Sequence, residues 1–160
     1  MAAAVKNTPG LTVPGKLTLH LGVLVQPYRA RGKKVGAVTT GDVAEILEAK
    51  YGVIGAYYRV HEKDVAKSLE NSLKGAIESM MLGAPIRDPW SGGMAEIDSG
   101  FRDFISSMEA EKVGIPGTPT KAALKGVNHR LKRPYASRNP RRPSFRDTGL
   151  YMRSFRSWIA

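Results

Sequence analysis

Leu17, Leu19, Leu21, Val23 and Val25 alternate with less apolar neighbours, and His20 and Leu24 point to the other side. A period of two over nine residues predicts a half-buried strand, which Pro27 ends or confines to a sheet edge. The basic stretch Tyr28–Lys34, with Gly32 inside it, has the make-up of a hairpin loop, and Val35–Val38 would pair back as a second short strand. At Asp42 the period changes. Asp42 followed three residues later by Glu45 fits a capping box, with Val43, Ile46 and Leu47 as the apolar face of a helix ending near Tyr51-Gly52. Ile54, Tyr57, Tyr58, His61, Val65, Leu69, Leu73, Ile77 and Met80 then recur at helical spacing and predict one long helix. Gly75 within it would mark close packing.

Residues 83–93 are rich in helix breakers and read as a loop. Met94, Ile97, Phe101, Phe104, Ile105 and Met108 predict a further helix, closed by Gly114-Ile115-Pro116-Gly117. Thr118-Pro119 then starts another, with Thr as N-cap and Pro at the first helical position. Its apolar side is Ala123, Val127 and Leu131, and its basic side Lys121, Lys125, Arg130 and Lys132. The fold class is α+β: a small antiparallel sheet packed with two to four helices. Residues 1–16 form an N-terminal arm, 17–132 the core domain, and 133–160 an extended basic arm with a C-terminal anchoring element.

Residues 133–146 lose all periodicity and hold three prolines and five arginines. Fully extended, they would reach about 45–50 Å at ~3.3 Å per residue. A domain of this length has a radius of gyration of about 15 Å, so the arm is long enough to lie on another subunit. Phe155, Trp158 and Ile159 follow at the C-terminus, where exposing them would be costly; they are expected to be buried in the fold or beneath a neighbour.

The chain has 160 residues, a net charge of +11 and no cysteine. Lacking cysteine, it has no disulfide scaffold, cysteine-ligated zinc, thiol catalysis or iron–sulfur ligation. The N-terminus lacks the pattern of a secretory signal, and no apolar run is long enough to span a bilayer. The charge is unevenly placed. Residues 1–41 carry six bases and no acid, residues 42–120 eight bases and thirteen acids, and residues 121–160 eleven bases and one acid. Such a map suits either nucleic-acid binding or basic segments of one copy resting on the acidic body of the next.

Candidate chemistry is sparse. His20, His61 and His129 are far apart and lack metal-ligand spacing, and a hydrogen-bonded core histidine is the expected role of His61. The acidic pairs Glu45/Glu48, Glu96/Asp98 and Glu109/Glu111 fall on expected helix exteriors rather than in a cleft. Neither a phosphate-binding loop nor a nucleophile elbow is present. No enzyme activity, cofactor or metal is therefore expected. The chemical feature that stands out is the basic arm. Arg133, Arg138, Arg141, Arg142 and Arg146, interleaved with Tyr135 and Phe145, suit phosphates and stacked bases. They equally suit forked contacts to carboxylates on a neighbouring subunit.

Three blocks add to this reading: Asp42–Gly52, Pro116–Val127 and, above all, Arg142-Pro-Ser-Phe-Arg-Asp-Thr-Gly-Leu-Tyr-Met-Arg-Ser-Phe-Arg156. They resemble a family of tailed-bacteriophage neck or tail-completion proteins, encoded among the head–tail joining genes. The similarity spans roughly residues 17–159, and its specific part is short. The resemblance implies a ring-forming α+β subunit at the head–tail junction of a virion assembled in the host cytoplasm, in the neck, tail terminator or tail-completion position. It implies copies of itself and other neck, portal-side or tail proteins as partners, with DNA in the channel as a further one and no membrane. The contact residues expected on this reading are Arg133, Tyr135, Arg138, Arg141, Arg142, Phe145, Arg146, Phe155 and Trp158. The alternative is a stand-alone basic nucleic-acid-binding protein.

Overall fold

The computed structural model describes residues 17–28 and 38–160. Strand β1, Leu19–Val23, pairs antiparallel with β2, Phe155–Ile159, at the far end of the chain, in the register Leu19↔Ile159, Leu21↔Ser157 and Val23↔Phe155. Thr18 and Ala160 extend the ladder by exchanging backbone hydrogen bonds of 2.8 and 3.0 Å. The alternating segment is thus a strand, and its sheet partner among the described residues is the C-terminal element. Residues 35–37 of the expected second strand lie outside the described residues. Around them, Pro27 bridges Thr39, and the Tyr28 N–H donates to the Val38 carbonyl at 3.0 Å.

Helix α1, Thr40–Tyr51, is capped by Thr39, one turn before the expected Asp42/Glu45 box. The Asp42 N–H donates to the Thr39 hydroxyl at 3.2 Å, and Asp42 Oδ2 accepts the Thr39 N–H at 2.8 Å. Asp42 is the reciprocal residue of the box, not its cap. Ile46, expected on the apolar face, is exposed, and Ala44 is buried in its stead beside Val43 and Leu47.

Gly52 ends α1 at φ 60° and opens α2, Val53–Met81, with no intervening loop. Here Glu48 serves both helices. It belongs to α1, and its carboxylate accepts the N–H groups of Ile54 (2.8 Å) and Gly55 (3.0 Å). That places negative charge at the α2 N-terminus, where the helix dipole favours it. With 29 residues, α2 is about 43 Å long at 1.5 Å per residue. Its backbone leaves helical geometry at His61 (φ −105°, ψ 16°).

The core lies where α3, Ser91–Ser106, crosses the first half of α2 and backs the sheet. Phe101, Phe104, Ile105 and Phe155 are fully buried, and Phe101 stacks on Phe155 with ring centroids 3.9 Å apart. Tyr57 joins this group, and its hydroxyl donates to the Ile97 carbonyl at 2.9 Å. Burial first, and then nearby Asp98, push the Tyr57 phenol up to about 12. His61 packs against the rings of Tyr57 and Phe104, with Asp64 and Glu109 3.3 and 3.2 Å from its two nitrogens.

Close helix packing falls at Gly93, where a Cβ would stand 2.7 Å from the Ser68 carbonyl oxygen. At Gly75 the same atom would meet nothing, so the expectation there is corrected. The reason is length: α3 has 16 residues against the 29 of α2, and the end of α2 outruns it. Ile77, Met80, Met81 and Leu82 are exposed as a result.

After α3 the chain turns at Met108 (φ 62°) into the short α4, Glu109–Lys112. Helix α5 covers only Lys121–Leu124, and its cap is Thr120 rather than Thr118. The Thr118 hydroxyl is used backwards, donating to the Ile115 carbonyl at 2.6 Å, and the Thr118-Pro119 bond is cis. Val127 and Leu131 therefore lie beyond the helix. Helix α6, Leu150–Ser154, leads into β2. The α+β class and the small antiparallel sheet stand, but six helices among the described residues replace the expected two to four, because α4, α5 and α6 are single turns of four or five residues with no period to read. No helix among these residues is long and apolar enough to cross a membrane.

Candidate docking surface

Residues 133–146 form neither helix nor strand, yet they do not leave the domain. They run in turns laid on their own chain, which corrects the expectation of an extended arm. Asn139 Nδ2 donates to the carbonyls of Arg133 and Pro134, both at 2.9 Å, and the Asn128 N–H donates to Pro134. Gly126, at φ 64°, lets this segment pass. A Cβ there would stand 2.5 Å from the carbonyl oxygens of Asn139 and Pro140.

Glu111 is the main receptor. Its Oε1 accepts both the N–H and the hydroxyl of Ser144 at 2.8 Å, and Arg141 pairs with Oε2. The Glu111 side chain is only 5% exposed. Burial pushes its carboxyl up, but Ser144 and Arg141 together outweigh burial and hold it below its ordinary value. Ser144 also accepts the Thr120 N–H at 3.0 Å, so α4, the α5 cap and the basic segment share one buried hydroxyl. One base of the arm, Arg141, does meet a carboxylate, and that carboxylate is intramolecular.

Arg142 is held by the carbonyls of Val127, through Nε, and Pro143, through Nη1. Burial lowers its pKa, with Asp147 opposing. Asp147 is itself taken up by His129, accepting the backbone N–H at 2.8 Å and facing Nδ1 at 2.6 Å. Nε2 of that imidazole lies 3.0 Å from the Tyr135 hydroxyl. Together these residues staple one end of the segment to the other.

Two hollows result. Arg130, Arg141, Arg142 and Arg146 line the first, of about 240 Å³, together with Asn128 and Asp147. The second is an apolar cleft of about 350 Å³ between α1 and the returning C-terminal segment. Its walls are Tyr28, Val43, Leu47, Tyr51, Phe145 and Tyr151, and Arg142 and Asp147 stand among them. Phe145, at φ 64°, turns its ring edge-on to Tyr51 at 5.1 Å. The Tyr151 phenol is buried, finds no partner among the described residues and is shifted upward, chiefly by burial.

Of the expected contact residues, Arg141, Arg142, Phe145 and Arg146 come together around these hollows. Arg133 and Arg138 are exposed beside a third hollow, and Tyr135 is 73% exposed. Phe155 and Trp158 are elsewhere. Phe155 is core, while Trp158 is 45% exposed and stacks on His20 across the sheet, so within this chain it is not buried. Arg130, Glu111, Tyr51 and the His129–Asp147 pair were not anticipated. No short-range spacing announces them, since His129 and Asp147 are 18 residues apart.

Among the described residues, no group of three His, Asp or Glu side chains gathers as a metal site. No protein-family model, curated protein or solved structure matches the chain.

Proposed function

We propose that the chain is a ring-forming structural subunit at the head–tail junction of a tailed-phage virion, in the neck, tail-terminator or tail-completion position. Its partners are copies of itself and neighbouring neck, portal-side or tail proteins, and it carries no catalysis. The observation that carries this reading is the block Arg142–Arg156, which resembles neck proteins and serves here as scaffold. Ser144 engages Glu111, Gly149 takes φ 79° ahead of α6, and Phe155 fills the core. A sequence block used in this way identifies a fold rather than a reactive site.

The surface supports assembly too. Arg130 and Arg146 line one hollow of the folded segment and Arg133 and Arg138 another, while most acids belong to residues 42–120. Head-to-tail contacts that close into a ring need two unlike, complementary faces on each copy. Docking then uses a preformed ridge, which loses less entropy than a swinging arm.

Gold-labelled antibody against the chain, applied to purified particles, tests the assignment. Label at the head–tail junction is expected, and particles lacking the chain should be filled heads without tails. Label over the head shell, or particles that join normally without the chain, would overturn it.

The four-arginine hollow favours a second reading, nucleic-acid binding. On that reading affinity for duplex DNA would fall with salt at a log–log slope of about 0.9 per phosphate neutralised.

A further inference from the structure

The molecule has an apolar knob at one end of α2 and an apolar hole beside the other. The knob is the helix tip, where Met81 and Leu82 are 82% and 88% exposed and Ile77 and Met80 are nearly half exposed. Glu78 stands one turn before Leu82 and forms no ion pair among the described residues. The hole is the 350 Å³ cleft, whose wall includes Tyr51, the residue that ends α1 just before α2 begins. The two features therefore lie at opposite ends of this 29-residue helix.

We infer that the α2 tip of one copy seats in the cleft of the next copy. The inference rests on the ring reading and names the contact that would build the ring. Size agrees, since the cleft has room for about twelve waters at ~30 Å³ each, enough for a pair of aliphatic side chains. Polarity agrees as well, aliphatic tip against aromatic and aliphatic walls.

Charge supplies direction. The Arg142 guanidinium is half-buried at the cleft and, among the described residues, bonded only to carbonyls, and nearby Asp147 is held by His129. An incoming carboxylate would complete it, and Glu78 brings one. Knob and hole are different surfaces at opposite ends, so the contact is heterologous and propagates from copy to copy. Met81 and Leu82 would otherwise remain in water.

The absence of native cysteine makes a direct test available. Ala84→Cys and Ala122→Cys are both at exposed positions, the first beside the tip with Leu82 kept and the second on the cleft wall, so neither disturbs the core. The two full-length single-cysteine variants are mixed, oxidised and run without reductant, beside light scattering of the reduced mixture. The mixed disulfide should exceed the statistical share, and Leu82→Asp should shift the assembly to smaller species. Assembly with only tip-to-tip disulfides, or with none, would overturn the contact and leave the ring reading standing. A chain that stays monomeric at all concentrations would overturn both.

Discussion

Asp98 of α3 and Ser157 of β2 meet twice: Oδ1 accepts the Ser157 N–H at 2.8 Å and its hydroxyl at 2.9 Å. The same device recurs between Glu111 and Ser144. In each case a carboxylate in or just after α3 receives a serine from the C-terminal third of the chain. These two clamps convert a Pro- and Arg-rich stretch and a final strand into parts of the body. Each is exacting because the groups are buried: a lost acceptor leaves the serine N–H unsatisfied, although the Ser157 hydroxyl can still turn to the Met94 carbonyl at 3.1 Å.

Asp98→Ala should therefore destabilise the fold by about 1–3 kcal/mol, the cost of leaving a buried donor unpaired. Urea unfolding followed by circular dichroism measures it. A midpoint equal to wild type would show that Asp98 does not hold β2.

The Glu111 clamp makes a pH-dependent prediction. Its carboxyl is held below the ordinary value of 4.5, so the unfolded chain binds that proton more readily than the folded one. The stabilisation is full above the unfolded pKa and is lost as pH falls through the folded one. Glu111→Gln should cost about 1–3 kcal/mol at pH 7, and its gap from wild type should narrow on acidification below the ordinary carboxyl range. Urea midpoints from pH 7 to pH 3 check this. A gap that is constant over the range would contradict it.

Gly126→Ala should free residues 139–146 without melting the core, since both the left-handed backbone and the 2.5 Å approach of two carbonyl oxygens exclude a Cβ. Brief trypsin treatment should cut the variant after Arg141 or Arg146 much faster than wild type. Equal rates would mean that the segment does not rest on Gly126.

The two C-terminal aromatics should behave differently. Phe155→Ala opens a cavity in the stacked core and should cost about 3–5 kcal/mol. Trp158→Ala removes a half-exposed ring and its stacking on His20, and should cost clearly less in the isolated subunit. Similar losses for both would mean that Trp158 is core.

Much of this was legible in the sequence, and the failures have physical causes. α2 and the first part of α3 are visible because their apolar residues recur every three or four positions. The sheet partner of β1 is not, because Leu19↔Ile159 pairing joins the two ends of the described chain and leaves no local trace. The α1 cap was displaced because Thr39/Asp42 and Asp42/Glu45 share one spacing, and only the first has a hydroxyl aimed at a free N–H. The lack of period in residues 133–146 correctly excluded helix and strand. Where the segment lies, however, depends on Glu111 and Gly126, single residues in other parts of the chain. The apolar stripe of α2 likewise could not show that α3 begins level with Ser68 and Ser72, short of the end of the stripe.

Native mass spectrometry of the purified full-length chain, free of nucleic acid, tests the central claim of a self-assembling ring subunit most directly. One discrete closed oligomer is expected, retained as ionic strength rises because its contacts are partly apolar. A monomer at every concentration, binding duplex DNA with a steep salt dependence, would contradict the claim and put the nucleic-acid reading in its place.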